Sequence, residues 1–303
     1  MKKIFTASLM FAALYSQGQT ENPDPKPISP WQNDLQVGIN LNQSSFSDNW
    51  KAGGVNSSAA TGFLNAKANY KKEKTTFEND LQLQYGNTRL QGEGLQKNAD
   101  RIFLNSKFGH DISKHWNLFA SANFISQFDA GFEYFDTGSF AQRRISGFLS
   151  PAYLTEALGL EYKPASYFST QFGLIGLRQT IVLDQELYDK YSPTEEKYNL
   201  LYGVQRGEKV RNQFVGQLVV NFDKEIMKNL FLKLRYQGVI DYERINHTGI
   251  VSRFDGSIVA KVNRFITVNF TAAVLYDYDQ DEDIQYSQVM SIGILYRLTN
   301  MKE

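Results

Sequence analysis

The sequence predicts an all-β protein: a closed antiparallel transmembrane β-barrel of about twelve strands, with short periplasmic turns and longer outer loops. Three observations carry that expectation. Apolar residues recur at every second position over stretches of about ten or more residues, long enough to cross a bilayer as tilted strands. Short connections alternate with longer ones along the chain. The N-terminus reads as a secretory signal, and beyond it no apolar run approaches the roughly 20 residues of a spanning helix.

The signal comprises residues 1–18. Lys2 and Lys3 form a basic start, Ile4 to Leu14 a short apolar run, and Ser16 and Gly18 the small residues before a cut ahead of Gln19. Residues 19–32 form a periplasmic linker. Four of the seven prolines in the chain (Pro23, Pro25, Pro27, Pro30) fall there, which favours extended polyproline II. Residues 33–303 are the barrel. In the first strand Leu35, Val37, Ile39 and Leu41 alternate with Asp34, Gln36, Asn40 and Asn42. In the second, Leu64, Ala66, Ala68 and Tyr70 oppose Phe63, Asn65, Lys67 and Asn69. Ten more strands follow by the same period: Thr76–Gly86, Arg101–His110, His115–Phe128, Tyr153–Lys163, Tyr167–Val182, Val210–Phe222, Leu230–Tyr242, Thr248–Val262, Phe265–Tyr278 and Ile284–Leu298. Gly173 and Gly176 predict a bulge that shifts the phase of the seventh strand.

The connections near Lys71–Lys74, Asp111–Lys114, Lys163–Ser166, Asp223–Asn229 and Asn263–Arg264 are short. Those at Ser47–Val55, Asn87–Asp100, Asp129–Ser150 and Asp184–Lys209 are longer, and two modest ones lie near Arg244–His247 and Asp279–Asp283. In lipid every backbone amide must be paired, so a sheet must close on itself. A soluble β-sandwich has shorter strands, of about five or six residues, and does not need a second face so consistently built from amides and charges.

At the first loop Asn49, Trp50, Gly53, Gly54 and Asn56 fit the pattern Asn/Asp-x-Trp-x-x-Gly-Gly-x-Asn. This resembles the N-terminal signature of an uncharacterised family of outer-membrane proteins from Bacteroidota-type bacteria. The resemblance implies a β-barrel over nearly all of the mature chain and the outer membrane as its place, and supplies no catalytic residues. On physical grounds Gly53 and Gly54 permit positive φ, and Trp50 needs an apolar seat. Trp50, Gly53, Gly54 and Asn56 are therefore expected at the outer rim, as a capped hairpin or a partner-docking loop.

The inward phase collects Lys67, Glu78, Asp80, Arg101, Lys107, Arg211, Lys233, Arg235, Asp241, Arg253 and Asp255, joined by Glu161, Lys261 and Arg297. These side chains are expected to form a salt-bridged lumen with a basic excess. A basic lumen favours anions, and mutually paired charges plug a narrow barrel. The loops Asp129–Ser150 and Asp184–Lys209 are unusually aromatic. They are expected to constrict the mouth, to pack on one another, or to meet a protein partner.

Function classes narrow accordingly. Lys plus Arg and Asp plus Glu each number 32, so nothing argues for nucleic acid. The chain has no cysteine, which excludes disulfides, thiolate chemistry and a lipoprotein anchor. The acidic run Asp277–Asp283 lacks the glycine and the terminal glutamate of an EF-hand. His247, with Asp241 and Glu243 upstream, gives only a faint echo of an outer-membrane hydrolase. The expectation is a non-enzymatic channel or passive transporter, without cofactor or metal, in contact with outer-membrane lipid and lipopolysaccharide. An accessory subunit docking a partner through its outer loops is the alternative.

Overall fold

The computed structural model describes residues 29–47, 56–134, 142–189 and 200–300. The expected signal, most of the expected linker, and Trp50, Gly53 and Gly54 lie outside the described residues. Strands are β1 (Trp31–Ser44), β2 (Ser57–Lys72), β3 (Thr75–Leu90), β4 (Leu95–Asp111), β5 (Trp116–Ser126), β6 (Gly131–Tyr134), β7 (Gln142–Ser146) and β8 (Ala152–Ala165). They continue with β9 (Phe168–Ile181), β10 (Leu200–Leu201), β11 (Val204–Gln205), β12 (Val210–Met227), β13 (Leu230–Asp241), β14 (Ile250–Lys261), β15 (Ile266–Asp277) and β16 (Asp281–Thr299).

Twelve of these form one closed antiparallel barrel in the order β1-β16-β15-β14-β13-β12-β9-β8-β5-β4-β3-β2. Closure comes from β1 pairing with β16, from Asp34 opposite Thr299 to Leu41 opposite Ile292. No sheet edge is left over, which is what hydrocarbon demands of a spanning sheet. Strands β6–β7 and β10–β11 are two small hairpins inside the long connections. With an even strand count, β1 begins and β16 ends at the same end as the short turns.

The faces divide as the alternation requires. Leu81 and Leu104 pair across β3 and β4, Leu104 and Phe124 across β4 and β5, and Phe124 and Leu154 across β5 and β8, giving an outward apolar row. On β16, Met290, Ile292, Ile294, Tyr296 and Leu298 are all more than half exposed. A ring of uncovered apolar side chains this extensive belongs against lipid, not water. Rings cluster at the short-turn end: Trp31 on Tyr70 at 5.2 Å, Trp116 on Tyr162 at 5.0 Å, and Tyr167 on Phe222 at 5.7 Å. Lys224 Nζ lies 4.4 Å from the Tyr167 ring centre. An aromatic girdle with lysine at its rim marks an interface between hydrocarbon and water.

The β9 bulge falls where Gly173 and Gly176 placed it. The register slips against both β8 and β12 between those glycines, and the consecutive Leu174 and Ile175 are both exposed. Beyond the bulge the inward set of β9 becomes Gly176, Arg178 and Thr180. Two connections are shorter than the sequence suggested. Residues 87–90 and 95–100 are strand, with a slip at Gly86/Asn87. This hairpin is polar on both faces, so it carries no hydrophobic period to read. Strand β12 likewise runs on to Met227 and takes Asp223 into the sheet.

Candidate functional site

The lumen is filled partly by aromatics seated over glycines. A Cβ at Gly38 would lie 2.5 Å from Phe63 Cζ, so only glycine leaves room for that ring. Phe119, 2% exposed, stands in register between Gly109 and Gly159. Phe103 is also buried on the inner face. The remaining interior is charge and amide, in three tiers.

Nearest the short turns, Lys67 Nζ of β2 reaches Asp223 Oδ2 of β12 at 3.9 Å, and Lys233 Nζ reaches the same oxygen at 3.4 Å. Strands β2 and β12 are diametrically opposite in the barrel, so this contact spans the lumen. On the wall beside it Lys107 Nζ lies 3.0 Å from Glu78 Oε2 and 2.6 Å from Glu161 Oε1. Glu161 also accepts from Gln171 Nε2 at 3.0 Å and Asn117 Nδ2 at 3.2 Å. Asp34 pairs with Arg297 across the closing strands.

At mid-height Arg253 holds Asp255 through two hydrogen bonds of 2.8 and 2.7 Å. Arg235 Nη1 donates to Asn221 Oδ1 at 2.9 Å. Arg101, on the opposite wall, has Arg253, Asp255, Arg235 and Asp80 as its charged neighbours and lies over the Phe103 ring at 4.9 Å.

Nearest the long loops Arg178 Nη2 reaches across to Asp277 Oδ2 at 2.8 Å and sits over the Tyr153 ring at 4.9 Å. Above it Asp279 accepts from Arg211 Nη1 at 2.8 Å and from Arg244 Nη2 at 2.9 Å, while Asp241 accepts from Gln213 Nε2 at 2.8 Å. Burial opposes ionisation of Asp279, but the Arg244 hydrogen bond and the Arg211 charge outweigh it and hold the carboxyl below its ordinary value.

The described parts of the two aromatic loops fold onto one another and over this tier. Val182, Leu187, Tyr188, Leu201 and Val204 form a small buried cluster, with Tyr188 Oη donating to the Val204 carbonyl at 2.9 Å. Burial pushes the Tyr188 phenol up to about 12. Tyr202 Oη donates to the Ile145 carbonyl at 2.8 Å, and Arg144 pairs with Asp184 at 2.6 Å, which ties the two loops together. Gly203, at φ +76°, lies against Arg211 and Asp279, so the second loop touches the β15–β16 turn across the mouth. Asn56, the one described rim-motif residue of the four, donates to Gln91 Oε1 at 2.8 Å and so ties the first loop to the β3–β4 hairpin.

Of the charges expected in the lumen, the ion pairs bring together Lys67, Glu78, Lys107, Glu161, Arg211, Lys233, Asp241, Arg253, Asp255 and Arg297. Asp34, on the polar face of the first strand, joins them with Arg178, Asp223 and Asp277, which lowers the basic excess from four to two. Arg178 was hidden by the β9 phase shift and Asp223 by its assignment to a turn; the bulge glycines were the available signal for the first. His247 stands edge-on to Tyr278 at 6.0 Å, and the Asp241 carboxylate is taken by Gln213 and Arg244. Among the described residues no group of three or more His, Asp or Glu side chains has metal-binding geometry.

Fold and lining define a narrow transmembrane β-barrel with a charged interior and an inwardly folded loop cap. A family model described as a protein of unknown function, DUF3078, matches residues 41–132, from the end of β1 to β6. Comparison with curated proteins gives no match. Among solved structures the chain is similar to the translocator domain of the autotransporter NalP from Neisseria meningitidis, at 13% identity over 90% of this chain and 90% of that one, TM-score 0.38. It is similar to the NanC porin at 9% identity over 86% and 98%, TM-score 0.38. An outer-membrane channel from Pseudomonas putida F1 shares 8% identity over 93% and 100%, TM-score 0.37.

Proposed function

We propose that the protein is a narrow, non-enzymatic outer-membrane channel for small solutes, exported by its signal and oriented with the short turns in the periplasm. The observation that carries this is how the lumen is obstructed. At the Lys67–Asp223 level the contact that spans the lumen is between two solvated side chains, 37% and 49% exposed, with no strand or helix crossing the path among the described residues. Side chains of this kind swing aside on the nanosecond scale, so this level does not bar a small solute. The charges that line the lumen are the selectivity elements, and the looped end is the solute's entrance.

The test is single-channel recording in planar bilayers. The wild-type barrel gives small discrete currents, and Lys67→Ser/Asp223→Ser raises them several-fold. Silence from both correctly folded proteins refutes the channel. A second reading has its own observation: Phe148, Leu200 and Ile245 are 57%, 58% and 71% exposed at the loop end, above the lipid-facing band. Such side chains suit an accessory subunit that docks a partner. Purification in mild detergent decides it, since a partner retained at fixed stoichiometry and lost on Phe148→Ser/Leu200→Ser supports docking and a solitary barrel opposes it.

A further inference from the structure

A cavity of about 270 Å³ lies in the loop-side half of the lumen, between the mid-height and upper charge tiers. Its wall includes Arg101, Arg253 and Arg178 together with Tyr153, and an apolar side built from Ile125, Val239, Val251 and Leu275. The charges around it do not cancel. Arg178 is taken by Asp277 and Arg253 by Asp255, while Asp100, also on the wall, is taken by Lys97 at 2.7 Å. Of the remaining charges, Arg101 and Arg235 share the single carboxylate of Asp80, whose Oδ2 accepts from Gln82 at 3.2 Å and whose Oδ1 has no hydrogen-bond partner, so the two guanidiniums exceed it by one charge. Arg101 makes no ion pair among the described residues, and its Nε has no acceptor. The Tyr153 hydroxyl, on the same cavity wall, also lacks a partner. Two buried donors without acceptors, one of them on the surplus guanidinium, are costly features unless something completes them.

We propose that this cavity is a binding site for a small organic carboxylate, its charged end on Arg101 and Tyr153 and its short apolar body on the aliphatic wall. A guanidinium presents paired donors that match a carboxylate, and the Tyr153 hydroxyl is a second unpartnered donor on the same cavity wall. The volume falls just below the range of about 300–1,000 Å³ for drug-sized ligands, which selects solutes of a few heavy atoms. The aliphatic wall gives no partner to a bare inorganic ion, so an organic body is favoured over chloride or phosphate. The site deepens the channel reading by naming its solute class. It sits on the path ahead of the Lys67–Asp223 level, where it selects what passes.

Calorimetric titration of the detergent-purified, full-length mature barrel tests this separately from conduction, with butyrate as the probe and 1-butanol, butylammonium and chloride as comparisons. Saturable one-site binding of butyrate alone is expected. Arg101→Gln weakens it at least tenfold, and Tyr153→Phe, which removes only a hydroxyl, weakens it about threefold. Heat-dependent gel migration confirms that each variant is a folded barrel; should Arg101→Gln not fold, Tyr153→Phe decides. No saturable butyrate binding, equal binding of 1-butanol, or unchanged affinity in the folded variants overturns the proposal. Conductance without butyrate binding leaves the channel standing and removes this site. Binding without conductance keeps the site and removes the channel.

Discussion

Replacing Lys107 with methionine isolates one of the two most deeply buried ion pairs of the lumen among the described residues. Lys107 and Glu161 side chains are 5% and 2% exposed and meet at 2.6 Å. Removing one partner of such a pair strands a buried charge, at a cost of about 3–5 kcal/mol. Here Glu161 keeps the amides of Gln171 and Asn117, and Glu78 keeps Lys163 at 3.5 Å, so the low end, about 3 kcal/mol, is expected. Adding Glu161→Gln to Lys107→Met removes the stranded charge while leaving an amide for the same neighbours. The double variant recovers to within about 1.5 kcal/mol of wild type by the same reasoning. The assay is urea unfolding from lipid vesicles, followed by tryptophan fluorescence at one pH and salt concentration, with equal slopes confirming comparable transitions. A single-variant loss below about 1 kcal/mol, or a double variant no better than the single, would refute the buried pairing.

Three further outcomes follow from the geometry of the cap, the loop turn and the outer wall. The Asp279 carboxyl is depressed, so the stability it gives the loop cap is present above its ordinary value near about pH 4 and lost as pH falls through its folded value; hydrogen exchange in residues 200–209 should accelerate there beyond the intrinsic rate change, and Asp279→Asn should show the faster exchange already at pH 7, whereas equal protection of the segment in wild type and variant at pH 7 removes the latch. Gly203 has positive φ, and a Cβ would lie 2.0 Å from Arg211 Nη1, so Gly203→Ala should lose about 1–3 kcal/mol in urea unfolding, and an unchanged midpoint contradicts the strain. Leu104→Arg places a charge on the outward row of β4 and should cost about 2–4 kcal/mol near the bilayer midplane; a loss under about 0.5 kcal/mol would put that face in water.

The barrel was legible because one period governs both its faces. Leu35, Val37, Ile39 and Leu41 had to face lipid together once Gln36 and Asn40 did not, and the same logic fixed all twelve spanning strands. The β9 bulge was readable from Gly173 and Gly176, yet its consequence for Arg178 requires knowing where between them the extra residue falls. The polar ends of β3, β4 and β12 were not readable, because outside the bilayer neither face needs to be apolar. Pairing was the least legible property. Lys67 and Asp223 are far apart in sequence and meet only because six strand steps separate β2 from β12 in either direction. Alternation says that a residue faces inward; only closure says what it meets.

The two cross-lumen closures differ in a way that bears on conduction. Lys67–Asp223 is a solvated contact at 3.9 Å, of a kind worth about 0–1 kcal/mol. Opening it is therefore thermally frequent, and removing it should raise conductance by no more than about five-fold, the equivalent of about 1 kcal/mol. Arg178–Asp277, 8% and 1% exposed at 2.8 Å, is a fixed strut, so the path must run beside it. Arg178→Met should strand Asp277, loosen the loop-side half of the lumen and change ion selectivity, while Lys67→Met should change conductance and leave selectivity nearly as it was. Reversal potentials in a salt gradient separate the two effects. If Lys67→Met shifts the reversal potential more than Arg178→Met does, the selective region lies near the short turns and the ordering of the two closures is wrong.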